Sequence, residues 1–380
     1  MTAQTPPMGF NTWNTFGANI SDQMVRETAD AMVDQGLLDA GYEYLVIDDC
    51  WSEHDRDPIT DKIVADHNKF PNGMKAVADY VHSKGLKFGM YSCAGVRTCA
   101  NHPGSYDHEF LDAETFAEIG VDFLKYDFCY KPRLANGPML YRKMGNALRA
   151  TGRDILYSAC NWGSDEVGKW ARAYGAHMYR STGDIADNFE SFVNILRSQE
   201  KEFCYSGPFC FNDMDMLTVG MYGKGNVAAG GCSDTEYKTE FSLWCLFGTP
   251  LMLGCDIRNM NETTKKLVTN KELITINQDP ECRGVIAMNG HPFCYEQMRA
   301  YFRHLSNNEA VLGIFNFGTD ARRPIMYLAE EFGLDARCGY GMLLTDIHTG
   351  EEFGPYKDFY EGKEIAPHDC EMYRVKFVKV

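Results

Sequence analysis

The feature of this sequence that most restricts its fold is an alternation of two textures over the first 280 residues. Short apolar runs rich in Val, Ile, Phe and Tyr are each followed by a longer segment with helical spacing of its apolar residues. Residues 44–47 form such a run, and Met74, Val77 and Val81 lie on one face of a helix further along. Strands that alternate with helices predict βα units and a parallel sheet.

About eight such units fit into this stretch, which is the size of a (β/α)8 barrel. A doubly wound sheet would have a similar texture. Acidic residues, however, follow at least five of the strands, and barrel active sites are built at the C-terminal ends of the strands. The sequence therefore predicts an α/β fold of the (β/α)8 TIM barrel type. The units are predicted to start near Gly9, Tyr44, Lys87, Asp122, Ile155, Met178, Pro208 and Gly230.

The texture changes after Pro280, where short strand-like runs are separated by turn signals such as Asn289-Gly290. We therefore predict two domains: a barrel over residues 1–283 and a C-terminal antiparallel β-sandwich domain over residues 284–380. The predicted strands of the second domain are Val285–Met288, Cys294–Tyr295, Ala310–Phe317, Met326–Tyr327, Gly341–Leu344 and Tyr373–Val380.

The acidic balance of the chain limits its partners. It has 37 basic and 53 acidic residues, a formal net charge of −16, and such a surface repels nucleic acid and anionic membranes. We expect neither as a partner. The N-terminus has no basic start and no apolar stretch typical of a secretory signal. The 14 cysteines occur in a chain too long to depend on disulfides, so we expect a cytoplasmic protein. Whether it forms a homo-oligomer stays open.

Carboxylates at the ends of the predicted strands are the main chemical signal. Asp48 and Asp49 end the second strand, Asp127 ends the fourth, and Asp184 and Asp215 follow the sixth and seventh. Each alone has an alternative role as a helix N-cap or turn residue. Together they fit glycoside hydrolysis, which needs two carboxylates. A divalent-metal hydrolase is the alternative, but the His residues do not cluster at these strand ends, so we expect no metal.

Lys125 precedes Asp127 by two residues in the predicted fourth strand. Because strand side chains alternate, both point toward the barrel axis. A nearby cation favours the charged form of a carboxylate. We therefore expect Lys125 to keep Asp127 ionised.

Six segments occur in one order along the chain. They are Gly9-Phe10-Asn11-Thr12-Trp13-Asn14, Ile47-Asp48-Asp49-Cys50-Trp51, Leu124-Lys125-Tyr126-Asp127-Phe128-Cys129, Arg180-Ser181-Thr182-Gly183-Asp184, Asn212-Asp213-Met214-Asp215-Met216 and Ile276-Asn277-Gln278-Asp279-Pro280. This set resembles the signature blocks of glycoside hydrolase family 27, the retaining α-galactosidases and α-N-acetylgalactosaminidases. The resemblance covers about residues 7–280. The C-terminal region is similar to that family's only in position and size.

The resemblance implies a retaining exo-α-galactosidase without a cofactor, which takes an α-galactoside as substrate and releases galactose. It makes Asp127 the nucleophile and Asp184 the general acid/base. The acid must hold a proton near neutral pH, and a pairing with Arg180 would oppose this. We therefore expect Arg180 to contact sugar hydroxyls rather than Asp184.

The resemblance also implies contacts to galactose. Asp48 and Asp49 match acceptors for the C4 and C6 hydroxyls, and Trp13 matches a platform under the sugar, with barrel core as the alternative role. Cys99 and Cys129 match a pair that forms a disulfide in secreted relatives; whether it forms here stays open. The residues that we predict to bind substrate are Trp13, Asp48, Asp49, Tyr91, Cys99, Lys125, Cys129, Cys160, Asn161, Trp162, Arg180, Asp215 and Met216.

The fifth strand end, Cys160-Asn161-Trp162, is similar to the fungal and plant α-galactosidase pattern, in which Cys and Trp crowd the 2-position of the sugar. Relatives that accept 2-acetamido sugars have small residues there. We therefore predict that Cys160 and Trp162 face the sugar while Asn161 points elsewhere. The alternative is that Asn161 controls this position. The competing functions are an α-N-acetylgalactosaminidase and a non-catalytic galactose-binding protein, and the natural aglycone stays open.

Overall fold

A computed structural model describes residues 2–200, 202–288, 297–335 and 337–380. Contacts within the chain define two units. One consists of the chain up to Gly231 together with Thr249–Thr269, and the other of Cys232–Gly248 together with Asn270–Val380. The boundary at residue 283, which comes from the change in sequence texture, stays a prediction.

The first unit contains eight parallel strands in a single sheet. They are β1 Met8–Asn11, β2 Tyr44–Val46, β3 Lys87–Cys93, β4 Phe123–Asp127, β5 Leu156–Cys160, β6 Met178–Arg180, β7 Phe211–Asp213 and β8 Leu251–Leu253. Each strand from β1 to β6 pairs with the next, and β8 pairs with β1. Leu217, just after β7, forms a parallel bridge with Leu253 of β8. The sheet therefore closes on itself, which confirms the predicted TIM barrel.

An α-helix follows each barrel strand, as the periodicity predicts, except β5, which is followed by two 3₁₀ helices, Ser164–Lys169 and Arg172–Tyr174. The α-helices of the described residues are α1 Trp13–Phe16, α2 Asp22–Asp34, α3 Gly73–Ser83, α4 Glu109–Ile119, α5 Gly137–Ala150, α6 Phe189–Gln199, α7 Asp234–Phe247, α8 Glu262–Val268, α9 Lys271–Asn277 and, among the strands of the second unit, α10 Leu328–Phe332. The hydroxyl of Ser21 caps α2 by accepting a hydrogen bond from the Met24 amide at 3.2 Å. Helix α3 buries Met74, Val77 and Val81, the residues of its apolar face.

Apolar side chains form a buried cluster inside the barrel. Buried residues from five strands, joined by Met216, form one cluster there. Along β4, Phe123 belongs to this cluster, whereas Lys125 and Asp127 line a cavity. The two-residue period of a strand thus places a core residue and two charged residues on the same side. The cluster consists of Tyr44, Val46, Phe123, Leu156, Met178, Met216 and Met252.

The prediction that the eighth unit starts near Gly230 is wrong. Residues 220–231 form a loop without a strand, and Gly225 and Gly230 have φ of 95° and 100° there, which side-chain-bearing residues rarely adopt. Helix α7 follows the loop, and only then does β8 begin at Leu251. Helix α7 and strand β8 both contain short apolar runs, and periodicity alone cannot tell a buried helix from a buried strand in such runs.

The second unit contains two antiparallel sheets. The strands are β9 Ile286–Met288, β10 Met298–His304, β11 Ala310–Asn316, β12 Ile325–Tyr327, β13 Tyr340–Asp346, β14 Glu352–Tyr356, β15 Phe359–Glu361 and β16 Cys370–Lys379. Six of them form a sheet in the order β14-β13-β16-β11-β10-β9, and β12 pairs with β15. Met326 and Tyr360 of the small sheet share a buried cluster with Leu312 and Leu344 of the large one. The antiparallel C-terminal fold is confirmed.

Three strands of this unit, β10, β14 and β15, were not predicted from the sequence. The predicted strand Cys294–Tyr295 lies outside the described residues. None of the helices in the described part of the chain has the length and apolarity needed to cross a lipid bilayer.

Candidate active site

A cavity of about 120 Å³ opens at the C-terminal ends of the barrel strands. All residues predicted to act in catalysis or substrate binding line it, except Cys129 and Asn161. Sequence reasoning assigned no role to three other lining residues: Asn14, Ile185 and Val227. Asn14 lies in a recognised segment, but Ile185 and Val227 have no signal in the sequence. The lining consists of Trp13, Asn14, Asp48, Asp49, Tyr91, Cys99, Lys125, Asp127, Cys160, Trp162, Arg180, Asp184, Ile185, Asp215, Met216 and Val227.

Asp127 ends β4 and is 6% exposed. Its Oδ2 accepts a hydrogen bond from the Tyr91 hydroxyl at 3.0 Å, and its Oδ1 accepts one from the Phe128 amide at 2.8 Å. Burial raises the pKa of Asp127 to about 6, although the charge of Lys125 and these hydrogen bonds lower it. Desolvation thus outweighs the effect of the lysine that we expected to keep Asp127 ionised. Near neutral pH the carboxyl is still mostly ionised and held in one orientation.

Lys125 pairs with Asp48, not with Asp127. Its Nζ lies 2.7 Å from Asp48 Oδ2, and Asn11 Nδ2 donates to the same oxygen at 2.7 Å. Burial lowers the pKa of Lys125, but the nearby negative charges, chiefly that of Asp48, raise it by more, so the net shift of the pKa is upward. The ammonium therefore stays charged and fixes Asp48 at the wall of the cavity.

Asp49 lies beside Asp48 just after β2, and both carboxylates line the cavity. Asp49 Oδ2 accepts from the Ala100 amide at 3.0 Å and Oδ1 accepts from the Cys50 amide at 2.7 Å. Burial raises the pKa of Asp49. Two neighbouring side chains of a regular strand would diverge. Both reach the cavity here because β2 has already ended at Val46.

Arg180 contacts two carboxylates at the other side of the cavity. Its guanidinium lies 2.6 Å from Asp215 Oδ2 and 2.9 Å from Asp184 Oδ1. The expectation that Arg180 does not pair with Asp184 is therefore wrong. The Arg180 side chain is 4% exposed, and burying its positive charge without a nearby carboxylate would be unfavourable. The loop after β6 folds back so that Asp184, four residues later, contacts the guanidinium. The Asp184 side chain is nevertheless 79% exposed.

The end of β5 has the predicted arrangement around Cys160, Asn161 and Trp162. Cys160 and Trp162 line the cavity and Asn161 does not. Asn161 Nδ2 instead donates to the Ser164 carbonyl at 2.7 Å within the following turn. The Trp162 ring meets that of Phe128 edge to face, with centroids 6.2 Å apart. The indole thus packs against Phe128 and also lines the cavity.

Trp13 begins α1, and its amide donates to Asn11 Oδ1 at 2.9 Å. Its side chain is partly exposed in the cavity, whereas Met216 lines the cavity and also belongs to the buried barrel cluster. Asp215 is held in place by hydrogen bonds from the amides of Ile185 and Met216, at 2.8 and 2.7 Å. These hydrogen bonds fix the position of the Asp215 carboxylate in the wall of the cavity.

Cys99 and Cys129 form a disulfide, with their Cα atoms 5.2 Å apart. The sequence left this pairing open. Disulfides are typical of oxidising compartments, so the cytoplasmic location expected from the N-terminus stays a prediction.

Two groups of potential metal ligands occur among the described residues. One consists of Cys99, Cys129 and Asp127, but its two sulfur atoms are bonded to each other. The other consists of Glu53, Asp66 and His67, which do not line the cavity. Neither group suits a metal-dependent reaction in this cavity.

Comparisons with known proteins agree over most of the chain. A family model described as Alpha galactosidase A matches residues 5–279. The α-galactosidase of Cyamopsis tetragonoloba is 49% identical over 378 residues, which cover 97% of this chain and 86% of that protein. The α-galactosidase of Oryza sativa is 39% identical over 376 residues, covering 97% and 84%. The crystal structure of α-galactosidase I from Mortierella vinacea has a TM-score of 0.90 at 32% identity and covers 98% and 97%.

Proposed function

The chain belongs to the α-galactosidases of glycoside hydrolase family 27, and we propose how the residues of its cavity divide the chemistry. It is an exo-α-galactosidase that hydrolyses terminal α-linked galactose. A similar structure, that of the Saccharomyces cerevisiae enzyme at 28% identity and a TM-score of 0.85, contains raffinose. Oligosaccharides of this type are suitable substrates for the present chain.

In the first step, Asp127 attacks the anomeric carbon, and the bond from that carbon to the leaving oxygen breaks. Asp184 donates a proton to that oxygen, so the aglycone leaves as an alcohol. The observation that supports this division is the contrast between the two carboxyls. Asp127 is buried and held by Tyr91 and a backbone amide, whereas Asp184 is largely exposed at the same cavity. A nucleophile needs a fixed position, and an acid must reach an oxygen that faces solvent.

In the second step, Asp184 takes a proton from water, and the water oxygen attacks the anomeric carbon. The bond to Asp127 breaks and galactose leaves with its original anomeric configuration. The exposure of Asp184 supports this role, since water reaches the carboxylate once the aglycone has left. Arg180 forms ion pairs with both Asp184 and the buried Asp215. It therefore holds the acid/base residue near the cavity and shares its positive charge between two carboxylates.

Asp48 and Asp49 bind the hydroxyls of galactose, with Lys125 and Asn11 orienting Asp48. Trp162 and Cys160 occupy the wall where a 2-acetamido group would have to fit. A close-packed wall resists such a group, which favours galactose over N-acetylgalactosamine.

Two measurements test this function. Hydrolysis of paired nitrophenyl α-galactoside and α-N-acetylgalactosaminide should be strongly biased to the first. Proton NMR of the first-formed sugar should show α-galactose before mutarotation. Initial β-galactose would exclude the retaining mechanism, and a preference for the acetamido substrate would exclude the proposed specificity.

A further inference from the structure

Asp184 belongs to a segment, residues 181–187, that lies between β6 and α6 and contains no helix or strand. The backbone amides of three consecutive residues in it nevertheless donate hydrogen bonds to groups outside the segment. These bonds run from Ile185 to Asp215 Oδ2 at 2.8 Å, from Ala186 to Ser191 Oγ at 2.9 Å and from Asp187 to the Val227 carbonyl at 3.0 Å. The backbone that follows Asp184 is therefore fixed by tertiary contacts rather than by regular secondary structure.

Asp187 joins this segment to the glycine-rich loop of residues 220–231. It is fully buried, and its Oδ2 accepts a hydrogen bond from the Gly223 amide at 2.7 Å. Its carbonyl accepts one from the Gly231 amide at 2.9 Å, and its own amide donates to the Val227 carbonyl. Side-chain and backbone groups of one residue thus hold the loop near both of its ends and at its middle.

The two glycines that donate to Asp187 lie against each other. A Cβ atom at Gly231 would lie 2.5 Å from the Gly223 nitrogen, and the φ angles of Gly223 and Gly231 are 73° and 83°. Glycine allows such an approach together with such backbone angles. The ends of the loop therefore meet, and Asp187 binds the loop at that point.

Both sides of this contact contribute to the active-site cavity. Ile185, next to Asp184, and Val227, at the middle of the loop, line it, whereas Asp187 does not. The Val227 amide donates to the carbonyl of Asn14, another lining residue, at 3.1 Å. Asp187 can therefore act on the cavity only through the residues that it holds.

Asp184 needs such support because its own side chain is 79% exposed, so packing around it restricts it little. Its carboxylate contacts Arg180 at 2.9 Å. A general acid must lie within hydrogen-bond reach of the oxygen that it protonates, and a displacement of about 1 Å can lower a rate about 100-fold. The position of the Asp184 backbone is thus important for acid catalysis.

We propose that Asp187 is a positioning residue for Asp184. By binding the loop of residues 220–231 where its ends meet, it fixes the backbone of segment 181–187 and so the distance from the Asp184 carboxyl to the leaving oxygen. This inference rests on the proposed acid/base role of Asp184. Removing the Asp187 carboxylate takes away the acceptor of the Gly223 amide, so the side chain no longer holds the loop and the segment together.

The test compares two substrates that differ in their need for the acid. The leaving sugar of melibiose must be protonated, whereas nitrophenolate leaves without a proton. In Asp187→Ala we expect kcat/KM for melibiose to fall about 10- to 100-fold, and kcat/KM for nitrophenyl α-galactoside to fall about threefold or less. Loss of folded enzyme alone would lower both values by the same factor.

Asp187→Asn is the rescue variant. Its amide oxygen still accepts a hydrogen bond from the Gly223 amide, so kcat/KM for melibiose should return to within about threefold of the wild-type value. If Asp187→Ala does not fold, Asp187→Ser gives the same comparison. Its hydroxyl oxygen is one bond closer to the backbone than the carboxylate oxygens and does not reach the Gly223 amide.

Asp279→Ala is the matched control. Asp279 is also buried, at 5% exposed, and its Oδ2 accepts a hydrogen bond from the amide of Ser306 at 2.8 Å, 27 residues further along the chain. It does not line the cavity. We expect a lower melting temperature in this variant and an unchanged ratio of the two kcat/KM values.

Three results in the Asp187 variants would overturn the positioning role: equal losses on both substrates in Asp187→Ala, no loss on either, or no rescue in Asp187→Asn. The same change of ratio in Asp279→Ala would overturn it too. Asp184→Asn separates these results from a failure of the proposed function. If Asp184→Asn lowers both kcat/KM values equally, the acid role itself is wrong. If it lowers mainly the value for melibiose while Asp187→Ala does not, only the role of Asp187 is wrong.

Discussion

Lys125 Nζ lies 2.7 Å from Asp48 Oδ2, and the two side chains are 17% and 2% exposed. Asp127 follows on the same strand two residues later, so a single lysine is near both Asp48, the carboxylate that we propose to bind galactose, and Asp127, the proposed nucleophile. It bonds Asp48 directly and acts on Asp127 only through space. This explains why burial raises the pKa of Asp127 even though a cation is close by.

Replacing Lys125 with Met should shift the pH dependence of the reaction. Protonated Asp127 cannot attack, so kcat/KM of the wild type should fall as the pH drops through about 6, the pKa to which burial raises this carboxyl. Without the lysine charge the pKa rises further, and the acid limb should move to higher pH by about one unit. Lys143→Met is the control, because Lys143 pairs with Glu109 away from the cavity. An unchanged acid limb in Lys125→Met would contradict the role given to the lysine.

Asp127→Asn should remove activity on every substrate, because no nucleophile remains. We expect kcat to fall by about 10⁴-fold or more, measured with nitrophenyl α-galactoside. Asp122→Asn is the matched control: Asp122 precedes β4 at its opposite end and pairs with His82 and Arg153. This control should lose stability but keep its turnover number. Comparable loss of kcat in both variants would mean that Asp127 is only structural.

The same Asp127→Asn variant should be more stable than the wild type at neutral pH. The pKa of Asp127 is about 6 in the folded protein, against an ordinary value of 3.8 for an aspartate side chain. Between these pH values the folded state binds more protons than the unfolded state, so the wild-type free energy of unfolding falls as the pH rises. Asn does not ionise and avoids this loss, which amounts to about 2–3 kcal/mol.

Denaturant unfolding at pH 4 and pH 7 measures this difference. The advantage of Asp127→Asn should be present at pH 7 and shrink toward pH 4. A difference between the two proteins that does not change with pH would show that Asp127 ionises as easily in the folded chain as in the unfolded one.

Asp184→Asn should affect substrates according to their leaving groups. A sugar aglycone needs a proton from the acid, whereas nitrophenolate leaves without one. We expect kcat/KM to fall by about 10²–10⁴-fold for melibiose or raffinose and much less for nitrophenyl α-galactoside in the bond-breaking step. Equal losses on both substrate types would refute the assignment of Asp184 as the acid.

Trp162→Ala should narrow the preference for galactose over N-acetylgalactosamine. The indole lines the cavity and is supported by Phe128, so its removal opens space for a larger 2-substituent and also weakens galactoside hydrolysis. The ratio of kcat/KM for the two nitrophenyl substrates measures this. Asn161→Ser should leave the ratio unchanged, because Asn161 bonds Ser164 and does not line the cavity. The opposite pattern would assign the selectivity to Asn161.

Much of this site could be predicted because it depends on local patterns. The two-residue period of β4 placed Lys125 and Asp127 on the same side as the core residue Phe123. The same period separated Asn161 from Cys160 and Trp162. Strand ends in a barrel converge whatever the sequences between them, so acids that follow successive strands had to meet. The glycine-rich segment 220–231 has no such pattern, and its misassignment hid both β8 and the cavity residue Val227.

The sequence by itself determined the barrel, the C-terminal sheet and the carboxylates that face one cavity, because periodicity and the order of the strands act over short distances along the chain. Only the tertiary structure decided which charges pair. Lys125 could have neutralised Asp127, but Asp48, 77 residues away, lies closer to its ammonium. Arg180 pairs with Asp184 as well as Asp215 because the loop after β6 folds back on it. Ion pairs and desolvation depend on distances and burial in three dimensions, and these arise only when all eight strands are assembled.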